Sequence, residues 1–171
     1  SIGMRVMKGK RVALTSTSDL SPSGVERFLA DALELADLSQ EDPFAGPADP
    51  TLLSSPPYPD LSLFDEAGGA VDAAQAVSRA REAEAAALAF DKRITNSEGA
   101  TFSRNAGGFA LVLSSGFSGG YVGSYQSLVV TPVVDDEGGK KRRGYYWTAR
   151  RHLAELDDAK SVGEEAARRT L

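Results

Sequence analysis

No cysteine occurs among the 171 residues, which excludes disulfides, thiol nucleophiles and thiolate metal sites together and leaves the redox compartment unmarked. Histidine is nearly as scarce. The single His152 has no second imidazole beside it, whereas a hydrolytic zinc site commonly takes three protein ligands. Neither a His-Glu-x-x-His pair nor a Gly-x-Ser-x-Gly elbow is present. No apolar run approaches the roughly 20 residues needed to span a bilayer, and the opening SIGMRVMKGK lacks the apolar core of a signal peptide. Basic charge is not in excess either: a net charge of -5 opposes general nucleic-acid binding, which depends on a basic field. The expectation is a cytoplasmic protein with no membrane and no nucleic-acid partner, long enough for one full core.

What is present is a sheet-forming stretch over residues 90–151. Phe109 to Leu113, SLVVTPVV from Ser127 to Val134, and GYYWTARR from Gly144 to Arg151 read as strands. The link SSGFSGGYVGSY reads as a wide, glycine-rich connection, and DDEGGKKRR as a hairpin turning at Gly138 and Gly139, with Lys140, Lys141, Arg142 and Arg143 at a solvated tip. Strands joined this closely must pair antiparallel, because a parallel return needs a longer crossover. In Leu128 to Val134 both alternation phases are apolar, which predicts cover on both faces, and Pro132 predicts a bulge or an unpaired edge. Alternation puts Tyr145 and Trp147 together on the core face and leaves Tyr146 exposed or reserved for a partner.

Upstream, Met4 to Met7 and Arg11 to Thr17 read as a hairpin around Gly9. Ser21 as N-cap and Pro22 at the first helical position open a helix to Leu38, with Val25, Phe28, Leu29, Ala32, Leu33 and Ala36 on one face. Six of the eight prolines fall within residues 39–60, an ordered arm expected to pack through Phe44, Leu52, Leu53 and Tyr58. Residues 72–90 form an alanine-rich helix with a stripe of Ala76, Ala80, Ala83, Ala87 and Phe90. SEGA at 97–100 reads as a turn between two strands, and Ser161 with Glu164 as the capping box of a last helix. Together these predict one α+β domain over 1–171, an antiparallel β-sheet of meander and hairpins covered by two long helices.

Chemistry is sparse. His152 reads as a surface or interfacial histidine, a Ser/His/Asp arrangement through Asp157 or Asp158 stays formally open, and no catalytic or metal residue is nominated. The glycines at 116, 119, 120 and 123 do not form a phosphate cradle, because a strand and no helix follows them.

STSDLS entering a helix, EDPFAG, NSEGA, SSGFSGGYVGSY, the Tyr145, Tyr146 and Trp147 cluster, and the ending SVGEEAARRT follow one another along the chain. In this order they resemble the PmbA/TldD family, formerly called modulators of DNA gyrase, on its PmbA (TldE) side. The resemblance implies a fragment of the amino-terminal domain of a PmbA-like protein, longer at both ends. It also implies a non-catalytic subunit region, lacking the metal motif, of a cytoplasmic metalloprotease that processes or degrades unfolded peptides. The expected partners are a TldD-like subunit, which would carry the zinc, and extended or unfolded peptides. Tyr146, Tyr121 and Tyr125 are the candidate contacts. The alternative is a stand-alone interaction module regulating DNA gyrase or a toxin-antitoxin system.

Overall fold

A computed structural model describes residues Ser1–Leu171. The chain divides into two compact units, Ser1–Pro56 and Pro57–Leu171, where a single domain was expected. The division falls in the proline-rich stretch, whose residues cannot supply the ladder or helical bonds that would fuse its two sides.

In the first unit β1 (Ile2–Lys8) and β2 (Arg11–Thr17) form the expected hairpin, closed by Gly9 and Lys10 with Gly9 at φ 61°. Helix α1 (Pro22–Leu38) starts where the sequence places it, the Ser21 hydroxyl accepting from the Gly24 amide at 3.1 Å. It lies on this hairpin through Phe28, Ala32 and Ala36. Leu29 and Leu33 of the expected face are exposed, because a two-stranded sheet is too narrow to cover a six-residue stripe. At its start the arm is held by the Asp42 amide on the Lys10 carbonyl at 2.9 Å and the Lys10 ammonium on the Ala45 carbonyl at 2.8 Å. Of the residues expected to pack, Phe44 is 94% exposed and Leu52 82%, while Leu53 is half-buried.

The second unit is a four-stranded antiparallel sheet in which β4 (Ser118–Asp135) is central. It pairs on one side with β3 (Ile94–Val112) and on the other with β5 (Lys141–Arg143) and β6 (Tyr146–Arg150). SEGA is not a turn. The chain runs through it as one 19-residue strand with register shifts between Ile94 and Asn96 and between Ser97 and Ala100, Gly99 taking φ 112°. Pro132 sits opposite that bulge at Ser97 and at the gap between β5 and β6, so its missing N–H interrupts no continuous ladder.

Two helices cover one face of this sheet: α2 (Ala73–Phe90), with a capping box of Asp72 and Gln75, and α3 (Ala159–Thr170). The α+β antiparallel architecture is as expected, but α1 covers the other unit's hairpin, and the second cover here is the shorter α3. Asp158, not Ser161, is the N-cap of α3; it accepts from the Ser161 amide at 2.9 Å. The core joins Ala83 and Ala87 of α2, Val162, Ala166 and Ala167 of α3, and Leu128, Val130 and Val134 of β4. Val129 and Val133, on the opposite phase, are only half-buried, so cover on both faces is corrected to one.

The aromatic cluster is inverted relative to expectation. Directly paired residues share a face, and the register sets Tyr146 against Val130 and Thr148 against Leu128, both core positions. Tyr146 therefore packs toward the core, its hydroxyl 3.3 Å from Asp157 Oδ2 and its ring 4.5 Å under the Arg169 guanidinium. Tyr145 and Trp147 turn outward, Trp147 remaining 52% exposed.

Candidate functional site

Arg104 and Asp135 bracket 30 consecutive residues, 105–134, without a charge. All of them lie in β3, β4 and the tight turn between. In that turn the Leu113 amide donates to the Phe117 carbonyl at 2.9 Å, and Gly116 takes φ 96°. The glycine-rich link is thus mostly strand: Ser118 pairs with Val112, Gly120 with Ala110 and Gly123 with Gly107. The two strands project as a ribbon on which Phe109, Val112, Tyr121 and Val122 are all exposed.

Register sorts the ribbon into two faces. Phe109 faces Tyr121, with ring centroids 5.9 Å apart, and Asn105 faces Tyr125. This phase continues along β4 to Val129 and crosses to Trp147 of β6, giving an outer face with exposed rings and no helix. The far edge of β3 pairs with nothing along its 19 residues. Proteins usually guard such an edge with charge, proline or a bulge. Here the bulge and Glu98 guard one end, while residues 105–112 carry no guard.

A strap at residues 61–65 closes the free side of β4 near Ser124. The Ser124 amide donates to the Leu63 carbonyl at 2.9 Å, and its hydroxyl accepts from the Asp65 amide at 2.8 Å. That hydroxyl donates in turn to the Arg151 carbonyl at 2.9 Å. Amides of Leu153 and Gly68 donate to the Asp65 carboxylate and hold it below the usual carboxylate range, with Gln126 a lesser donor. Ser62 has φ 49°, the one non-glycine residue with positive φ. It is held by His152, whose Nε2 lies 2.7 Å from the Ser62 carbonyl and 3.2 Å from its hydroxyl. Ser62, Tyr125, Arg150, Arg151, His152 and Glu155 border a cleft of about 460 Å³ at this point.

This geometry does not build a serine hydrolase. With the Ser62 carbonyl as its nearer partner, His152 Nε2 carries the proton and donates, so it cannot take one from the hydroxyl. Asp157 bonds Tyr146 and Asp158 caps α3, so neither orients His152. No three His, Asp or Glu side chains converge as a metal site. The residues of this chain do not fit the zinc that the resemblance implies for a partner subunit. Of the three nominated contacts, Tyr121 and Tyr125 lie on the outer face, and Tyr146 lies beneath α3. Phe109 and Trp147, also exposed on this face, were not among the nominated contacts. The unbroken absence of charge over 105–134 was the available signal for the first.

Residues 66–171 match the family model described as the PmbA/TldA metallopeptidase central domain. The whole chain is 38% identical to the metalloprotease PmbA of Escherichia coli O157:H7 and 32% identical to a PmbA homolog of Haemophilus influenzae. It spans 37% of the length of each. Among solved structures, a protein described as a modulator of DNA gyrase from Bacteroides thetaiotaomicron superposes with TM-score 0.90 at 22% identity, over 97% of this chain and 38% of that one. TldE from Thermococcus kodakarensis superposes with TM-score 0.73 at 19% identity, over 97% of this chain and 36% of that one. At those identities the likeness establishes the fold alone. No helix is long and apolar enough to cross a membrane.

Proposed function

The chain belongs to the PmbA/TldD metallopeptidase family, and from that premise we propose that it is a non-catalytic part of a cytoplasmic peptidase, holding extended peptide for a TldD-like subunit that carries the zinc. One observation supports this reading above the others: the open, uncharged face and edge of the β3–β4 ribbon. An extended peptide added at a sheet edge gains main-chain hydrogen bonds whatever its sequence, which suits a protein that handles unfolded chains. Exposed rings at Phe109, Tyr121 and Trp147 offer apolar contact, and the lack of charge places no electrostatic filter on the side chains that arrive.

Amide hydrogen exchange with and without an unfolded polypeptide tests the reading. The expected result is slowed exchange at residues 105–112 of β3, lost in Phe109→Ser/Tyr121→Ser protein that keeps its melting temperature. Unchanged exchange there, in protein shown to co-purify with a TldD-like subunit, argues for a purely architectural role.

A further inference from the structure

Beside the uncharged outer face opens the cleft of about 460 Å³, and its walls are basic: Arg150, Arg151 and His152 against the single acid Glu155. Arg150 is already engaged, donating to the Ala149 carbonyl at 2.8 Å and standing 3.7 Å from Asp157 Oδ1. His152 is committed through Nε2 to Ser62. The Arg151 guanidinium has no ion-pair partner, although its backbone carbonyl is fixed by Ser124 and Gln126. The β4–β6 ladder ends where Gln126 pairs with Arg150; just beyond it Arg151 borders the cleft with Tyr125, its guanidinium 3.5 Å from where a Cβ on Gly123 would lie. An uncompensated cation thus stands where the uncharged face ends.

We infer that this cleft binds a carboxylate of the extended peptide, with Arg151 as its principal contact. The inference rests on the peptide-holding reading and adds an end point to it. A guanidinium presents a planar fork of donors that matches a carboxylate with two parallel hydrogen bonds. No other unpaired cation borders the cleft, so the carboxylate fixes how far along the face a peptide slides. The strained Ser62 and its histidine clamp hold the wall against which that end rests. Both the peptide's own terminus and an acidic side chain supply this chemistry.

Trp147 is the only tryptophan, half-exposed on the same face, and reports binding by fluorescence. The 171-residue protein is titrated with an acetylated, uncharged peptide of about eight residues, long enough to cross the face when extended. It is compared as the free acid, as the carboxy-terminal amide, and as the amide with one internal aspartate. The free acid is expected to bind about tenfold more tightly than the amide, as one charge-assisted contact allows. Arg151→Gln should bring the free acid to the affinity of the amide, Arg151→Lys should retain part of the difference, and raising the salt should narrow it. Tight binding of the internal-aspartate amide supports the same carboxylate site with a side-chain source. Equal affinity for acid and amide, both lost on Phe109→Ser/Tyr121→Ser, overturns the carboxylate site and leaves the peptide surface standing. No binding of any of the three overturns both. Arg151 is exposed, so its variants should melt with the parent, and far-ultraviolet dichroism verifies that they are folded.

Discussion

Gly163→Ala sets two effects of opposite sign against each other. In the middle of α3, alanine is favoured over glycine by roughly 0.8–1 kcal/mol from helix propensity alone. A Cβ at that position would lie 2.1 Å from the Ala83 carbonyl oxygen, 2.9 Å from Ala86 Cβ and 3.0 Å from the Ala87 nitrogen. Carbon and oxygen ordinarily approach no closer than about 3.3 Å, so α2 and α3 must separate by about 1 Å. The obstacle is the backbone of α2 and cannot rotate away. Separation loosens Ala83, Ala87, Val162 and Ala166, all 0% exposed. Overpacking of this kind costs typically 1–3 kcal/mol, and a backbone obstacle belongs at about the upper end. Net destabilisation of about 2 kcal/mol is expected, a fall in melting temperature of roughly 8 °C for a unit of this size. Urea unfolding followed by far-ultraviolet dichroism and Trp147 fluorescence measures it, with the exposed Lys160→Ala on the same helix as control. A Gly163→Ala protein as stable as the parent, or more stable, would show that the helices are not in the close contact described and would refute the reasoning.

Tyr146→Ala should cost about 2 kcal/mol in the same unfolding assay, since the half-buried ring packs on the core and under Arg169, while Trp147→Ala should cost less than about 1; the reverse order would mean that β6 is out of register by one residue. Changing Lys140, Lys141, Arg142 and Arg143 to Ser removes exposed pairs of Lys141 with Asp135 and Arg143 with Glu98, and each should matter by less than about 1 kcal/mol in thermal melts. Arg168, and then Arg169, donate to the Glu165 carboxylate and hold its pKa at about 2 against an ordinary 4.5. The folded value lies below the unfolded one, so the stability this group contributes is complete above about pH 4.5 and is lost as pH falls toward 2. Glu165→Gln should therefore make the acid-side fall in melting temperature shallower over that interval, and an unchanged slope counts against the pairing.

Local chemistry was legible wherever a short stretch contains its own partners. Ser21 and Pro22 set the start of α1, Gly9 turned the first hairpin, and Gly138 and Gly139 turned the last one, each through backbone preferences that reach no further than the next few residues. The antiparallel sheet followed from link lengths, and the family resemblance rested on motifs in order. In the same way, the absence of charge over residues 105–134 was written in the sequence, though only the tertiary structure turned it into an exposed edge.

Other assignments depended on contacts between distant residues. Alternation could say that Tyr145 and Trp147 share a face, but which face is buried was decided by pairing with Val130 and Leu128 and by the arrival of α3. SEGA has turn composition, yet the continuing ladder to β4 absorbs its extra residues as bulges and keeps β3 one strand. Likewise, nothing near Arg151 in sequence reveals that Asp157 engages Arg150 and leaves Arg151 unpaired beside Tyr125. The sequence by itself determined the cap of α1, the glycine turns of the hairpins, the antiparallel class and the lack of a metal motif, because those are fixed by neighbours within a few residues. Only the tertiary structure decided which face is core, which edge stays open and where the uncompensated charge lies, because each is set by residues brought together from across the chain.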